Sequence, residues 1–414
     1  MLSRRGPRNA RRLVAAALTL AFLAACGTSA APAATTGQAR PNPGATSRAP
    51  GSAPGSARGS ARGSAPARTA GQPRAGRSPW VSRSRTARPA RAASAAEAGG
   101  TSVRGAPGCP MFPADNVWNT DISKLPVNPR SAAWMKSMDS ATTYLHPDFG
   151  PDPGGYPYGI PYNVVTNAHP LVSITFTYAS QSDKGPYPFG ADTLIEGGQN
   201  AGGDRHAIMV NSSTCRLYEL WDARYSPSNP TAGSGAIWNL RSNALRPLDW
   251  TSADAAGLPI LPGLLNYGQI RAAVRSGTPI THAIRFTAEN TRSSFLWPAR
   301  HEASSDSSPD LPPMGARFRL KASFRVSRFC DSAATAYCKD AKAVLREMQH
   351  YGLILADNGS NWFFGGSAFP RWPDALVSLL KGIPASAFQA VSESCLRVSR
   401  NSGEATAKPG CPIG

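Results

Sequence analysis

From Gly27 to Pro107 the chain holds three bulky apolar side chains, Trp80, Val81 and Val103, among alanine, glycine, serine, proline, threonine and arginine. A segment so poor in apolar surface cannot offset the entropy of ordering its backbone, so no packed core is expected there. Folding is thereby confined to the residues beyond Pro107. The Gly-Ser-Ala-Pro and Gly-Ser-Ala-Arg units running from Gly51 read as low complexity, not as a structural repeat. As a coil of about 80 residues the segment would reach on the order of 50 Å.

The residues before it read as an export signal. Arg4, Arg5, Arg8, Arg11 and Arg12 form a basic head, and Leu13 to Ala25 an apolar run too short to span a bilayer as a stable helix. Leu23-Ala24-Ala25-Cys26-Gly27 resembles the lipobox of bacterial lipoproteins, which implies acylation of Cys26 and a membrane as partner. The other reading is simple cleavage after a small-residue site. Either way residues 1–26 are expected to be a signal peptide, residues 27–107 a disordered linker, and the protein extracytoplasmic.

Charge obeys the same division. The first 107 residues carry 17 arginines, no lysine and one acid, Glu97. That places +16 of the chain's +19 in the tail and leaves +3 on residues 108–414. A nucleic-acid reading from net charge alone therefore fails, and no nucleic-acid partner is expected. Outside a cell, such a tail would meet anionic wall polymers or lipid head groups.

Residues 108–392 have a globular composition, with 393–414 as a C-terminal tail. Beyond Cys26 there are six cysteines, an even number that in an exported chain suggests three disulfides. Spacing favours Cys330–Cys338 and Cys395–Cys411 as local loops and Cys109–Cys215 as the long one. Strands are expected over 170–178, 206–210, 215–221, 282–287, 294–297 and 316–324, with a hairpin over 353–364 turning at Asn358-Gly359. Helices are expected over 131–138, 266–276, 334–351 and 374–380. The sum is a mainly β fold: an antiparallel β-sandwich, jelly-roll-like, with long loops and a few peripheral helices.

The densest chemistry falls on residues 204–222. With a turn pairing Asn211 and Thr214, His206 faces Glu219 and Asp204 faces Trp221, so period-2 alternation gathers all four on one side of two strands. Two carboxylates can protonate a glycosidic oxygen and activate water or attack carbon, a histidine can tune them, and an indole can stack on a sugar ring. The bland alternative is a solvated face with a cross-strand His–Glu pair. Glu196 and Asp222 are the nearest acids that could complete a pair. Trp297-Pro-Ala-Arg300-His301 suits a polar ring-shaped ligand, or else caps the sandwich. Arg317, Arg319 and Lys321 alternate with apolar residues and read as a solvated face, or as a ladder for an acidic polymer. Asp357 belongs to a turn and can also reach a ligand. No metal centre or cofactor is expected, though Asp148 and Asp152 leave room for a structural calcium.

Six strings, from Phe112-Pro-Ala-Asp-Asn-Val-Trp-Asn-Thr120 through Gly203-Asp-Arg-His206, the stretch 233–247, the stretch 258–264, Trp297–His301 and Leu311–Arg317, together resemble a group of secreted bacterial proteins of unassigned function. The resemblance spans roughly 109–392, implies export, and transfers no catalytic residue. The expected function is a surface-tethered glycoside hydrolase on an extracellular or wall polysaccharide, with Glu219, Asp204 and His206 catalytic. The site would bind through Trp221, Asp222, Glu196, Trp297, Arg300, His301 and Asp357. A non-catalytic glycan- or wall-binding lipoprotein and a polysaccharide lyase acting on a uronate polymer are the alternatives.

Overall fold

The structure is a computed structural model that describes residues 101–151, 156–331, 333 and 335–406. The leader, Cys26, the linker up to residue 100, Asp152 and Cys411 lie outside the described residues. Ordered chain begins inside the stretch expected as linker. Strand β1 (Ser102–Val103) returns as β2 (Ala106–Pro110), and Val103 and Ala106 are buried in the main core. Gly105 makes the turn at φ +90°, a conformation that costs glycine little.

The main core forms on a six-stranded mixed sheet. Its members are β3 (His146–Asp148), β10 (Ile284–Ala288), β13 (Arg317–Leu320), β14 (Leu353–Asn358), β15 (Phe363–Gly365) and β16 (Phe388–Val391). They lie in the order β16-β13-β14-β10-β15-β3. One face is apolar: Phe286 and Phe318 pack edge to face at 5.3 Å between ring centres, with Trp362 against both. The register places Arg285 and Arg317 opposite Ile354 from its two sides, so both belong to the other face. The segment 353–364 is not a hairpin, because β10 lies between β14 and β15 and pairs with both.

A four-stranded sheet supplies the second layer. It contains β4 (Tyr162–Val165), β6 (Ala207–Asn211), β7 (Arg216–Trp221) and β9 (Ser234–Asn239), in that spatial order. Alternation along β6 and β7 sends Ile208, Val210 and Leu217 into the main core. It sends Ala207, Met209, Tyr218 and Leu220 into a second cluster around Tyr187, Phe189 and Ile195. Both faces are therefore covered, which is why β6 reads as a continuous apolar run. Two short pairs complete the strands: β5 (Thr175–Phe176) with β8 (Thr231–Ala232), and β11 (Arg292–Phe295) with β12 (Pro313–Met314). The strand expected over 170–178 shrinks to β5 and a single bridge between Val172 and Tyr187.

All four expected helices form: α1 (Ser131–Ser137), α2 (Tyr267–Ser276), α3 (Cys338–His350) and α4 (Asp374–Lys381). Among the described residues no helix is long and apolar enough to cross a membrane. The fold is thus strand-rich with few helices, as expected. Its sheets are mixed, however: β10–β14, β4–β6 and β15–β3 run parallel, and no closed barrel forms among the described residues. Cys109–Cys215 ties β2 to the start of β7, and Cys330–Cys338 closes a short loop before α3. Cys395 is itself in a disulfide.

Candidate functional site

The register of β6 and β7 decides what the 204–222 segment can do. Asn211 pairs with Arg216, Val210 with Leu217 and Ile208 with Glu219, two residues away from the expected alignment. The Asn211 carboxamide caps the wider turn by accepting the Ser213 and Thr214 N–H groups at 3.0 and 3.1 Å. A slip of two keeps side chains on their face, whereas a slip of one would invert them. His206, Glu219 and Trp221 therefore still share a side, but it is the side turned toward the main core.

Glu219 is consequently sealed in, with no exposed surface. Its carboxyl accepts the Ile260 N–H at 2.8 Å and the Leu261 N–H at 2.9 Å. Burial pushes its pKa up to about 8, against the opposing pull of those two N–H groups. It holds the 260–261 backbone and cannot touch a substrate. Asp204 is exposed and accepts the Trp221 indole N–H at 3.3 Å. The acid pair expected from these two residues is thus split between interior and rim. Trp221 itself is half-buried, and its ring lies over Gly233, where a Cβ would come within 2.0 Å.

His206 is buried between two acceptors. Nδ1 lies 2.7 Å from Glu196 Oε2 and Nε2 lies 3.2 Å from the Ala253 carbonyl oxygen. Both nitrogens must donate to satisfy this arrangement, which is the imidazolium form. Burial opposes that charge, but Glu196 outweighs it and pushes the His206 pKa up to about 9. An imidazolium with both N–H groups engaged has no lone pair, so His206 positions Glu196 and is not a base. Glu196, for its part, is lowered below the usual carboxylate range despite its burial, because His206 supplies charge and two N–H donors. Both His206 donors reach Oε2, and among the described residues no hydrogen bond to Oε1 occurs.

Behind this pair lies a second one. Arg285, from the polar face of β10, makes a forked contact to Asp254, Nε to Oδ2 at 2.8 Å and Nη2 to Oδ1 at 2.5 Å. Asp254 is fully buried and Arg285 nearly so. Gly365 on the neighbouring strand makes room, since a Cβ there would stand 3.0 Å from Arg285 Cγ. Across Gly365, Asp148 ends β3 in the paired register. It is half-buried and accepts the Tyr158 hydroxyl. Asp357 lies near the end of β14, is half-buried, and accepts the Asn358 N–H at 2.7 Å through Oδ1. Burial and the negative Asp254 push the Asp357 pKa up to about 7, with Arg285 and His206 pulling the other way. Asp148, Glu196 and Asp357 all lie within electrostatic reach of Arg285.

Other expected site residues serve the framework. Trp297 donates its indole N–H to Ser402, and Arg300 binds the Arg400 carbonyl and Asn401, which pins the C-terminal tail. The Arg300 and His301 N–H groups both donate to Ala256, and His301 Nδ1 binds Ala255. The motif thereby holds the loop that presents Asp254. Asp222 pairs with Arg224 on the surface at 2.8 Å, an interaction worth little. The Arg317 and Arg319 ladder is buried: Arg317 binds the Tyr351 and Val117 carbonyls and Glu393, and Arg319 binds the Ile122 and Ser123 carbonyls. It is neither a solvated face nor open to a polymer. Among the described residues no cluster of three metal-ligating side chains occurs.

Asp254, Arg285 and Tyr158 escaped the reading of the sequence. One signal for Arg285 was present, a lone charge inside the apolar strand His282-Ala-Ile-Arg-Phe-Thr287. Asp254 sits in an unpatterned loop and gives none. Comparison with protein-family models, with curated proteins and with solved structures finds no match to this chain.

Proposed function

We propose that the protein is an exported, surface-tethered carbohydrate-active enzyme of the glycoside hydrolase type, with Asp357 as general acid and Glu196 as the ionised carboxylate. The observation that carries this reading is that three half-buried carboxyls, Asp148, Glu196 and Asp357, each lie within electrostatic reach of the buried Arg285. Among the described residues each keeps an oxygen free of protein donors. Opposed titration supports the roles: Asp357 is raised and Glu196 lowered, and two carboxyls driven apart by their surroundings divide into proton donor and ionised partner.

In this reading Asp357 gives its proton to the leaving oxygen while Glu196 Oε1 deprotonates water or attacks the sugar carbon. The His206 imidazolium keeps Glu196 ionised and fixes its orientation. Tyr158, which donates its hydroxyl to Asp148, offers a ring surface beside the acids. A lyase would need a cation free to neutralise a uronate carboxylate, and Arg285 is committed to Asp254. Export and lipid attachment at Cys26 rest on the leader, and the two disulfides fit an oxidising compartment.

The test is incubation of the protein with a panel of wall and plant polysaccharides, reading reducing ends. Release abolished by Asp357→Asn and by Glu196→Gln is the expected result. Binding without release across the panel would replace the hydrolase by a glycan-binding lipoprotein, and unsaturated products would replace it by a lyase.

A further inference from the structure

Away from the carboxyl cluster, the start of α2 borders a cavity of about 350 Å³ walled by Arg104, Arg271, Arg275 and Arg371 together with Tyr267 and Phe369. Among the described residues Asp340 compensates Arg271, at 2.8 Å, and no other of the four guanidiniums. Among the described residues Arg104, Arg275 and Arg371 have no acidic partner, and Arg371 stacks over the Phe369 ring at 5.2 Å. Like charges gathered in a concavity repel one another unless an anion joins them. The Arg104 guanidinium lies on the backbone of Gly268, where a Cβ would fall 1.4 Å from Nη1. A glycine at the second position of α2 thus lets Arg104 reach the cavity. The helix end adds its own positive potential there.

We propose that this cavity is a binding site for a phosphoryl group carried on a soluble glycan or polyol chain. Three uncompensated arginines exceed what one carboxylate balances. A phosphoryl group carries more charge and more acceptor oxygens for several guanidinium forks. A chain fits better than a lipid surface because the cavity is concave and shares Arg104 and Gly268 with a second cavity of about 280 Å³. That neighbour is mostly apolar, lined by Met111, Leu261 and Leu264 among others, but Asn266, Gln269 and Ser367 on its wall suit hydroxyls flanking the phosphoryl group. The basic function sought in the β13 ladder is met here instead. The inference goes beyond the hydrolase reading and does not depend on it.

The experiment is calorimetric titration of the full chain with inorganic phosphate, then with poly(glycerol phosphate), acetate and phosphatidylglycerol vesicles. One saturable phosphate site is expected, weakened at least tenfold in the Arg104→Gln/Arg371→Gln double variant. Gly268→Ala should weaken it severalfold by displacing Arg104 without touching a charge. The arginine-rich tail is present in every sample, so the difference between variants isolates the cavity. Poly(glycerol phosphate) should respond to these variants in the same sense, and acetate should bind more weakly than phosphate. Asp357→Asn should leave phosphate binding unchanged, which separates this site from the hydrolase proposal. Equal phosphate affinity in wild type and double variant would overturn the site. Variant-sensitive vesicle binding with no variant-sensitive polymer binding would overturn the choice of a soluble chain.

Discussion

Replacing Arg285 by Met removes the forked ion-pair partner of a fully buried carboxylate. Asp254 then sits uncompensated within electrostatic reach of Asp357 and Glu219, with no surface of its own exposed. Breaking such a pair from one side typically costs about 3–5 kcal/mol. That is a large share of the roughly 5–15 kcal/mol that holds an ordinary domain together. At about 2–3 °C per kcal/mol for a domain of this size, the melting temperature should fall by roughly 6–15 °C. Removing both charges is a different perturbation. Arg285→Met with Asp254→Leu leaves an apolar pair of similar bulk, and the double variant should recover at least about 2 kcal/mol relative to the sum of the singles. Urea unfolding followed by tryptophan fluorescence, with the transition slope unchanged, measures all three. A loss below about 1 kcal/mol in Arg285→Met, or strict additivity in the double variant, would refute the picture of a mutually dependent buried pair.

The same structure sets two further outcomes. Glu219, Glu393 and Asp357 are held by burial at about 8, 7 and 7, above their unfolded values near 4, and His206 is held at about 9 against 6.5. Groups raised in the folded state give their full stabilisation below the unfolded value and lose it as pH climbs through the folded one. Stability should therefore fall between about pH 5 and pH 9, with Glu393 alone, raised from 4.5 to about 7, worth about 3 kcal/mol at about 1.36 kcal/mol per unit; denaturation midpoints that rise over this window would contradict the assignment. Loss of the Cys109–Cys215 disulfide, which closes a loop of separation 106, should destabilise the chain by up to about 4–5 kcal/mol. Calorimetry of Cys109→Ser/Cys215→Ser checks this, and an unchanged transition would show that the bond constrains nothing.

Periodicity served the sequence reading well wherever local pattern controls structure. The four helices, the β6–β7 strands and the two disulfides Cys109–Cys215 and Cys330–Cys338 stand where pattern and spacing placed them. Pairing between distant strands was not legible. Nothing local says that β10 inserts between β14 and β15, or that the face carrying Glu219 is covered by the 260–261 backbone. For the same reason the arginine ladder of β13 looked like surface. Its guanidiniums are satisfied by carbonyls of residues 117–123 and 351, which come from elsewhere in the chain. In the candidate site, Glu196, His206 and Asp357 were picked out by residue type, but their roles needed the tertiary partners. His206 became a cation only once both of its nitrogens met acceptors, and Asp357 an acid only once burial and the charge of Asp254 bore on it.

The central claim is that one carboxyl of this cluster keeps its proton near neutrality while its neighbour loses it. Carbon-13 NMR of the side-chain carboxyls, titrated from about pH 3 to pH 9 in the wild-type protein and in Asp357→Asn and Glu196→Gln, addresses it without any substrate. The account requires that the signal lost in Asp357→Asn titrate at about 7 and that the one lost in Glu196→Gln stay ionised below the ordinary carboxylate range. An Asp357 signal moving near pH 4, together with Glu196, would leave no proton donor in the site and would contradict the proposed chemistry.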